Sequence, residues 1–280
     1  MGPKKKATRA EADLPNVAET IFRALRRRIL RGDWAPGERL QGERELSESF
    51  DTTRNTLREA IRKLEQARLV TVRHGQGVTV ADFRRTGSIE LLSPFLEEGV
   101  DAGEKLHLLE DLLPSRMLVI EHATRLAVRR ASRDDVERLA DITALLISVF
   151  ETRDVGVMAR GDQRWLSAVV DASHSIALRW IANPLLEAYR DLLERFPALW
   201  IFDPTYPHYL ETYLRALQAE DEEGALRAVR GYFKRVDGVV LETVKALLPA
   251  VMQEANVVGS GKHGQDDRHR PRRNPPLRAR

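Results

Sequence analysis

The sequence predicts a mainly α protein in two parts, an N-terminal winged helix-turn-helix (three helices plus a β-hairpin) followed by an all-α helical bundle. Three observations carry that reading. Apolar residues recur at helical spacing through residues 17–67, β-branched residues flank a glycine-containing turn across residues 69–80, and the segments from Ile89 to about Ala255 are amphipathic at helical spacing with few alternating runs.

The first helix is read from Val17, Ile21, Phe22, Leu25, Ile29 and Leu30, and it stops at Gly32. A turn through Asp33-Trp34-Ala35-Pro36-Gly37 leads to a short second helix over 43–50, with Leu46 and Phe50 on one face. Asp51-Thr52 ends it. The third helix spans about 54–67, with Thr53 placed to cap its free backbone N–H groups and Leu57, Ile61 and Leu64 as its buried stripe. Residues 69–72 and 78–80 then alternate as strands about Arg73-His74-Gly75-Gln76-Gly77, where glycine suits a tight hairpin.

Further along, helical segments are predicted at 106–132, 133–151, 163–173, 186–196, 209–218 and 222–248, with breaks at Asn183-Pro184 and Phe202-Asp203-Pro204. This divides the chain into a basic tail without structure (1–13), a winged helix-turn-helix domain (14–83), a linker (84–104), an all-helical domain (105–255) and a second basic tail (256–280).

Composition narrows the function. With 280 residues and no cysteine, disulfides, thiol nucleophiles, iron–sulfur clusters and cysteine zinc sites are excluded. Apolar runs are too short for a membrane span and the start lacks an apolar signal core, so a cytoplasmic protein is expected. The overall charge of +3 conceals an asymmetry, because residues 14–83 carry +3, residues 84–258 carry −7, and the two ends carry +2 and +5. A basic front beside an acidic body suits one part that meets phosphate and one that does not.

On the third helix the first turn holds Thr53, Arg54, Asn55, Thr56 and Arg58, none of them required by the apolar stripe. Arginine pairs bidentately with guanine, asparagine with adenine, and threonine hydroxyls reach phosphates or base edges. Arg44 on the second helix lies beside the same groove wall, and Arg73, His74, Gly75 and Gln76 form a wing able to approach a backbone or minor groove. The partner read from these residues is double-stranded DNA.

The run Gly37-Glu-Arg-Leu-Gln-Gly-Glu-Arg-Glu-Leu-Ser-Glu-Ser-Phe-Asp-Thr-Thr-Arg-Asn-Thr-Leu-Arg-Glu-Ala-Ile-Arg-Lys-Leu-Glu, continued by Leu69-Val70 and Arg73-His74-Gly75-Gln76-Gly77, resembles the winged-helix domain of the GntR family of bacterial transcription regulators. The resemblance implies operator contacts from Arg44, Arg54, Thr56 and Arg58, with His74 and Gly75 at the wing tip. Two departures are Gln41-Gly42 in place of Pro-Ser before the second helix, and Asp51 in place of a turn glycine.

The all-α part, with Arg116 and Glu121 on its first long helix, resembles the effector domain of the FadR subgroup of that family. Many such domains hold a divalent metal through an Asp, a His four residues later and two further His. Here Asp162 is kept, while Leu166, Leu210 and Tyr232 align with the three imidazoles, so no metal and no other cofactor is expected. Arg116, Asp162, Leu166, Leu210 and Tyr232 are the expected pocket lining, suited to an acyl-CoA or another lipid-like metabolite.

The function expected is a ligand-responsive repressor that binds a palindromic operator as a homodimer and is not an enzyme. Two other readings stay open. One is an effector-blind DNA-binding protein whose helical domain only dimerises. The other is an enzyme with an appended DNA-binding domain, against which stand the missing cysteine, phosphate-cradling glycine loop and nucleophile elbow.

Overall fold

A computed structural model of the protein describes residues 17–73, 75–99 and 101–260. The expected tail at 1–13, residues 261–280 of the tail expected at 256–280, and His74 lie outside the described residues. The front module runs α1 (Val17–Leu30), α2 (Glu43–Ser49), α3 (Arg54–Gln66), β1 (Val70–Arg73) and β2 (Gly77–Val80). α1 packs on α3, and α2 on α3, through Ile21, Leu25, Leu46, Leu57, Ile61 and Leu64. Each is almost wholly buried, a gain of about 1.5–3 kcal/mol for a side chain of this size.

The hairpin pairs Val70 with Val80, Thr71 with Thr79, Val72 with Val78 and Arg73 with Gly77. Gly75 (φ +72°) and Gly77 (φ +84°) take the left-handed conformations this turn needs. A third segment, unread from the sequence, adds to the edge: Gly37 and Leu40 donate backbone N–H groups to Val80 and Val78. Asp51 adopts φ +47°, so an aspartate supplies the turn geometry for which a glycine was looked for.

Beyond the wing come α4 (Phe83–Thr86), a 3₁₀ turn at Ile89–Leu91 and α5 (Leu92–Glu98). Residues 84–104, expected as a linker, are therefore not an open tether. Leu91 and Phe95 complete the winged-helix core, with the Phe95 ring 5.9 Å from that of Phe83, while Leu92 and Leu96 join a separate cluster with Leu109, Ala188, Leu192, Val240 and Val244 of the helical domain. The sequence hid this because a two-turn helix with apolar residues on opposite faces shows no single stripe.

The helical domain consists of α6 (Ala102–Arg130), α7 (Arg133–Phe150), α8 (Val155–Ala172), α9 (Ile176–Arg195), α10 (Tyr206–Gln218) and α11 (Glu222–Ser260). Asp101, Ser132, Asp154 and Ser175 cap α6 to α9, each accepting a backbone N–H three residues on. α6 packs between α11, α8 and α9, and α10 closes the bundle against α7 and α11.

Two expectations give way here. Asn183-Pro184 does not break the chain, since α9 runs through it; the intrahelical bond that Pro184 cannot make is the one to Trp180, a residue 73% exposed, where water can replace it. Residues 256–260, assigned to the second tail, continue α11 in the backbone.

A candidate DNA-binding face and an apolar cavity

Thr53 caps α3: its Oγ1 accepts the Thr56 N–H at 3.2 Å and lies 2.9 Å from the Thr56 hydroxyl. The first turn is thereby held open at the surface. Arg54, Asn55 and Arg58 project from it, all exposed, with Thr56 half-buried behind them. Arg58 donates from Nε to Glu43 of α2 at 2.8 Å, and Arg44 donates to Glu48 at 2.9 Å. Those two guanidinium groups are already engaged. Arg54 and Arg62 make no ion pair among the described residues. Arg62, unread from the sequence, lies two turns beyond Arg54 and extends an i, i+4 row of arginines, a spacing that is itself the sequence signal for it.

On the wing, Arg73, Gly75 and Gln76 are exposed, and the Gln76 N–H closes the turn on the Arg73 carbonyl at 3.0 Å. The α3 N-terminus, its arginine row and the wing make up one candidate interface of this module, which carries net positive charge against the acidic body at 84–258.

The helical domain encloses a cavity of about 90 Å³ lined by residues of α6, α8, α9 and α11, by Leu199, Trp200 and Ile201, and by Ile89 and Leu92 ahead of and within α5. Its walls are aliphatic or, at Phe233, aromatic, apart from a polar end formed by Arg116, Asp162, Tyr189, Tyr232, Trp200 and Asp237. Arg116 donates to Asp237 at 2.6 Å and lies 4.6 Å over the Phe233 ring. Asp162, 5% exposed, accepts from the hydroxyls of Tyr206 at 2.7 Å and Tyr189 at 2.9 Å. Burial pushes the Asp162 carboxyl up despite these bonds and the nearby Arg116. The Tyr189, Tyr206 and Tyr232 phenols are likewise pushed up, first by burial and then by the Asp162 charge, so they stay protonated donors.

Of the expected pocket lining, Arg116, Asp162 and Tyr232 meet in this cavity. Leu166 faces a smaller one of about 50 Å³ next to it, shared with Arg116 and Tyr189. Leu210 lines neither; it is fully buried in the main core. Tyr189 and Tyr206 were missed, although a carboxylate on the apolar face of a helix is itself a signal that hydroxyl donors must be near.

The residues do not fit a divalent metal. Asp162 already receives two phenol hydroxyls, its neighbours are protonated tyrosines and a guanidinium, and among the described residues no three His, Asp or Glu side chains gather as a metal site.

A helix-turn-helix with a basic wing, joined through a packed helix to an all-α domain with an apolar cavity, defines a regulator built to bind DNA. Residues 17–80 match the model of the bacterial regulatory proteins of the gntR family, and residues 111–235 match the FCD domain. The chain belongs to the GntR family and carries an FCD domain. Proteins of this family bind DNA, and FCD domains bind small-molecule effectors.

Among curated relatives, the HTH-type transcriptional regulator Mce2R of Mycobacterium tuberculosis is 28% identical over 215 residues, covering 77% of this chain and 88% of that protein. The Uxu operon transcriptional regulator of Escherichia coli is 32% identical over 174 residues, covering 62% and 63%. The galactonate operon transcriptional repressor of Escherichia coli is 26% identical over 219 residues, covering 76% and 92%. A solved GntR structure from Streptococcus agalactiae is 20% identical, covers 79% of this chain and 98% of that chain, and superposes with a TM-score of 0.42. The names of the curated relatives are those of transcription regulators. Among the described residues no helix is long and apolar enough to cross a membrane.

Proposed function

We propose that the protein is a ligand-responsive repressor in the cytoplasm, not an enzyme, that binds a two-fold operator as a homodimer. Arg54, Asn55 and Thr56, with Arg58 and Arg44 released from Glu43 and Glu48, read the major groove, and Thr53 fixes the turn that presents them. Arg73, His74, Gly75 and Gln76 contact the flanking backbone. The observation that carries the regulatory reading is the position of α5: it shares the core of the winged helix through Phe95 and the wall of the cavity through Leu92. A molecule entering the cavity meets the element on which the DNA-binding module rests.

The effector class supported by the aliphatic walls is lipid-like, such as the acyl portion of an acyl-CoA. The repressor reading also draws on the galactonate relative, whose name describes a repressor. The test is binding of the full chain to its own upstream region at fixed salt, with and without octanoyl-CoA and a panel of apolar metabolites. Weakened binding with one class is the expected result. Tight binding indifferent to every addition would overturn ligand control and leave the helical domain as a dimerisation scaffold.

A further inference from the structure

The polar end of the cavity has its charges already spoken for. Arg116, the one cation in the lining, is held by Asp237 at 2.6 Å, with both side chains 19% exposed. The second carboxylate, Asp162, has both oxygens occupied by the hydroxyls of Tyr189 and Tyr206. The lining therefore places two carboxyl groups against one guanidinium, and an anion entering it would add a third negative group to a low-dielectric site.

Two donors at this end are left without acceptors. The Trp200 indole N–H and the Arg116 Nε–H are both buried without a hydrogen-bond partner, and both residues line this cavity. Buried donors left unmet are uncommon in folded proteins, and a ligand is one thing that meets them. Everything else in the wall is aliphatic or aromatic, including Leu109, Leu112, Leu192 and Val240.

We infer that this cavity takes an uncharged apolar molecule bearing a carbonyl-type acceptor, such as a ketone, ester or thioester, and discriminates against free carboxylates. The carbonyl oxygen accepts from the Trp200 and Arg116 N–H groups, while the hydrocarbon lies along α6, α9 and α11. Asp237 is the specificity-determining residue. By neutralising Arg116 it removes the one full positive charge in the lining that would favour an anion over a neutral carbonyl. This rests on the reading of the cavity as an effector site.

The test is calorimetric titration of the full-length protein with three eight-carbon probes: 2-octanone, octanoate and octylamine. The expected result is that 2-octanone binds wild type about tenfold or more tighter than octanoate, a difference of about 1.4 kcal/mol. Asp237→Asn, which frees Arg116, is expected to bring octanoate level with the ketone or ahead of it, and Trp200→Phe to weaken the ketone without strengthening octanoate. Octanoate or octylamine binding wild type as tightly as the ketone would overturn the inference, as would an Asp237→Asn protein whose preference is unchanged or wild type that binds none of the three. Ketone binding that leaves DNA affinity untouched would instead overturn the effector reading while the ligand chemistry stood.

Discussion

Arg54 and Arg58 sit one turn apart at the start of α3 and carry identical groups, yet the structure separates them. Arg58 is held by Glu43, whereas Arg54 has no carboxylate partner to leave among the described residues. Arg54→Ala is expected to cost about 1–3 kcal/mol of specific operator binding with little effect on unrelated DNA, measured by titration at fixed salt. An equal loss on both DNAs would remove Arg54 from base readout. Asp162 gives a second test at this scale. Its carboxyl holds a proton to higher pH in the folded protein than in the unfolded chain, so its contribution to stability is full below the unfolded value of about 3.9 and is lost as pH rises through the raised value. Denaturation across that window is expected to show wild type losing stability relative to Asp162→Asn as pH rises. Parallel curves would contradict it. Position types on α3 were legible in the sequence because exposed arginine and asparagine have no packing role. The phenols around Asp162 were not, since Tyr189 and Tyr206 read as ordinary apolar positions until three helices bring them together.

At the level of elements, the front helices were legible because each carries a local signal: an apolar stripe, a glycine stop, a threonine cap. α2 is the exception in quality. Its N-cap Gly42 has φ −59° and offers no side-chain cap, and a Cβ there would meet nothing within 4 Å. Gly42→Ser supplies the missing acceptor and lowers the entropy of the unfolded chain, so a gain of about 0.5–1 kcal/mol is expected in urea unfolding. No gain would mean that the serine hydroxyl fails to reach the α2 amides. The wing strands were displaced by a residue at their ends, since the pairing of Arg73 with Gly77 is set by the turn rather than by β-branched composition. α9 passes through Pro184 because the carbonyl freed by proline belongs to an exposed residue, a fact about burial that no dipeptide rule contains.

On the scale of the whole molecule, charge asymmetry and the change of periodicity near residue 89 marked two parts, but not how they join. The cavity is assembled from α6, α8, α9, α11, the approach to α5 and the segment before α10, and its apolar lining is indistinguishable in sequence from core. Ile176, Trp180 and Ile181 at the start of α9 are 70%, 73% and 56% exposed, an apolar surface suited to the interface of the proposed homodimer. Trp180→Asp is expected to shift the protein toward monomer in analytical ultracentrifugation and to weaken operator binding together with it. A dimer of unchanged affinity would put the interface elsewhere. The sharing of α5 between two cores bears on how such a protein can be rearranged. A chimera cut just after Val80 would strip Leu91 and Phe95 from the DNA-binding half and leave their places open to water, whereas a cut after Glu98 would carry both across intact. The natural seam for exchanging sensors on this DNA-binding head thus lies well past the wing, beside Gly99.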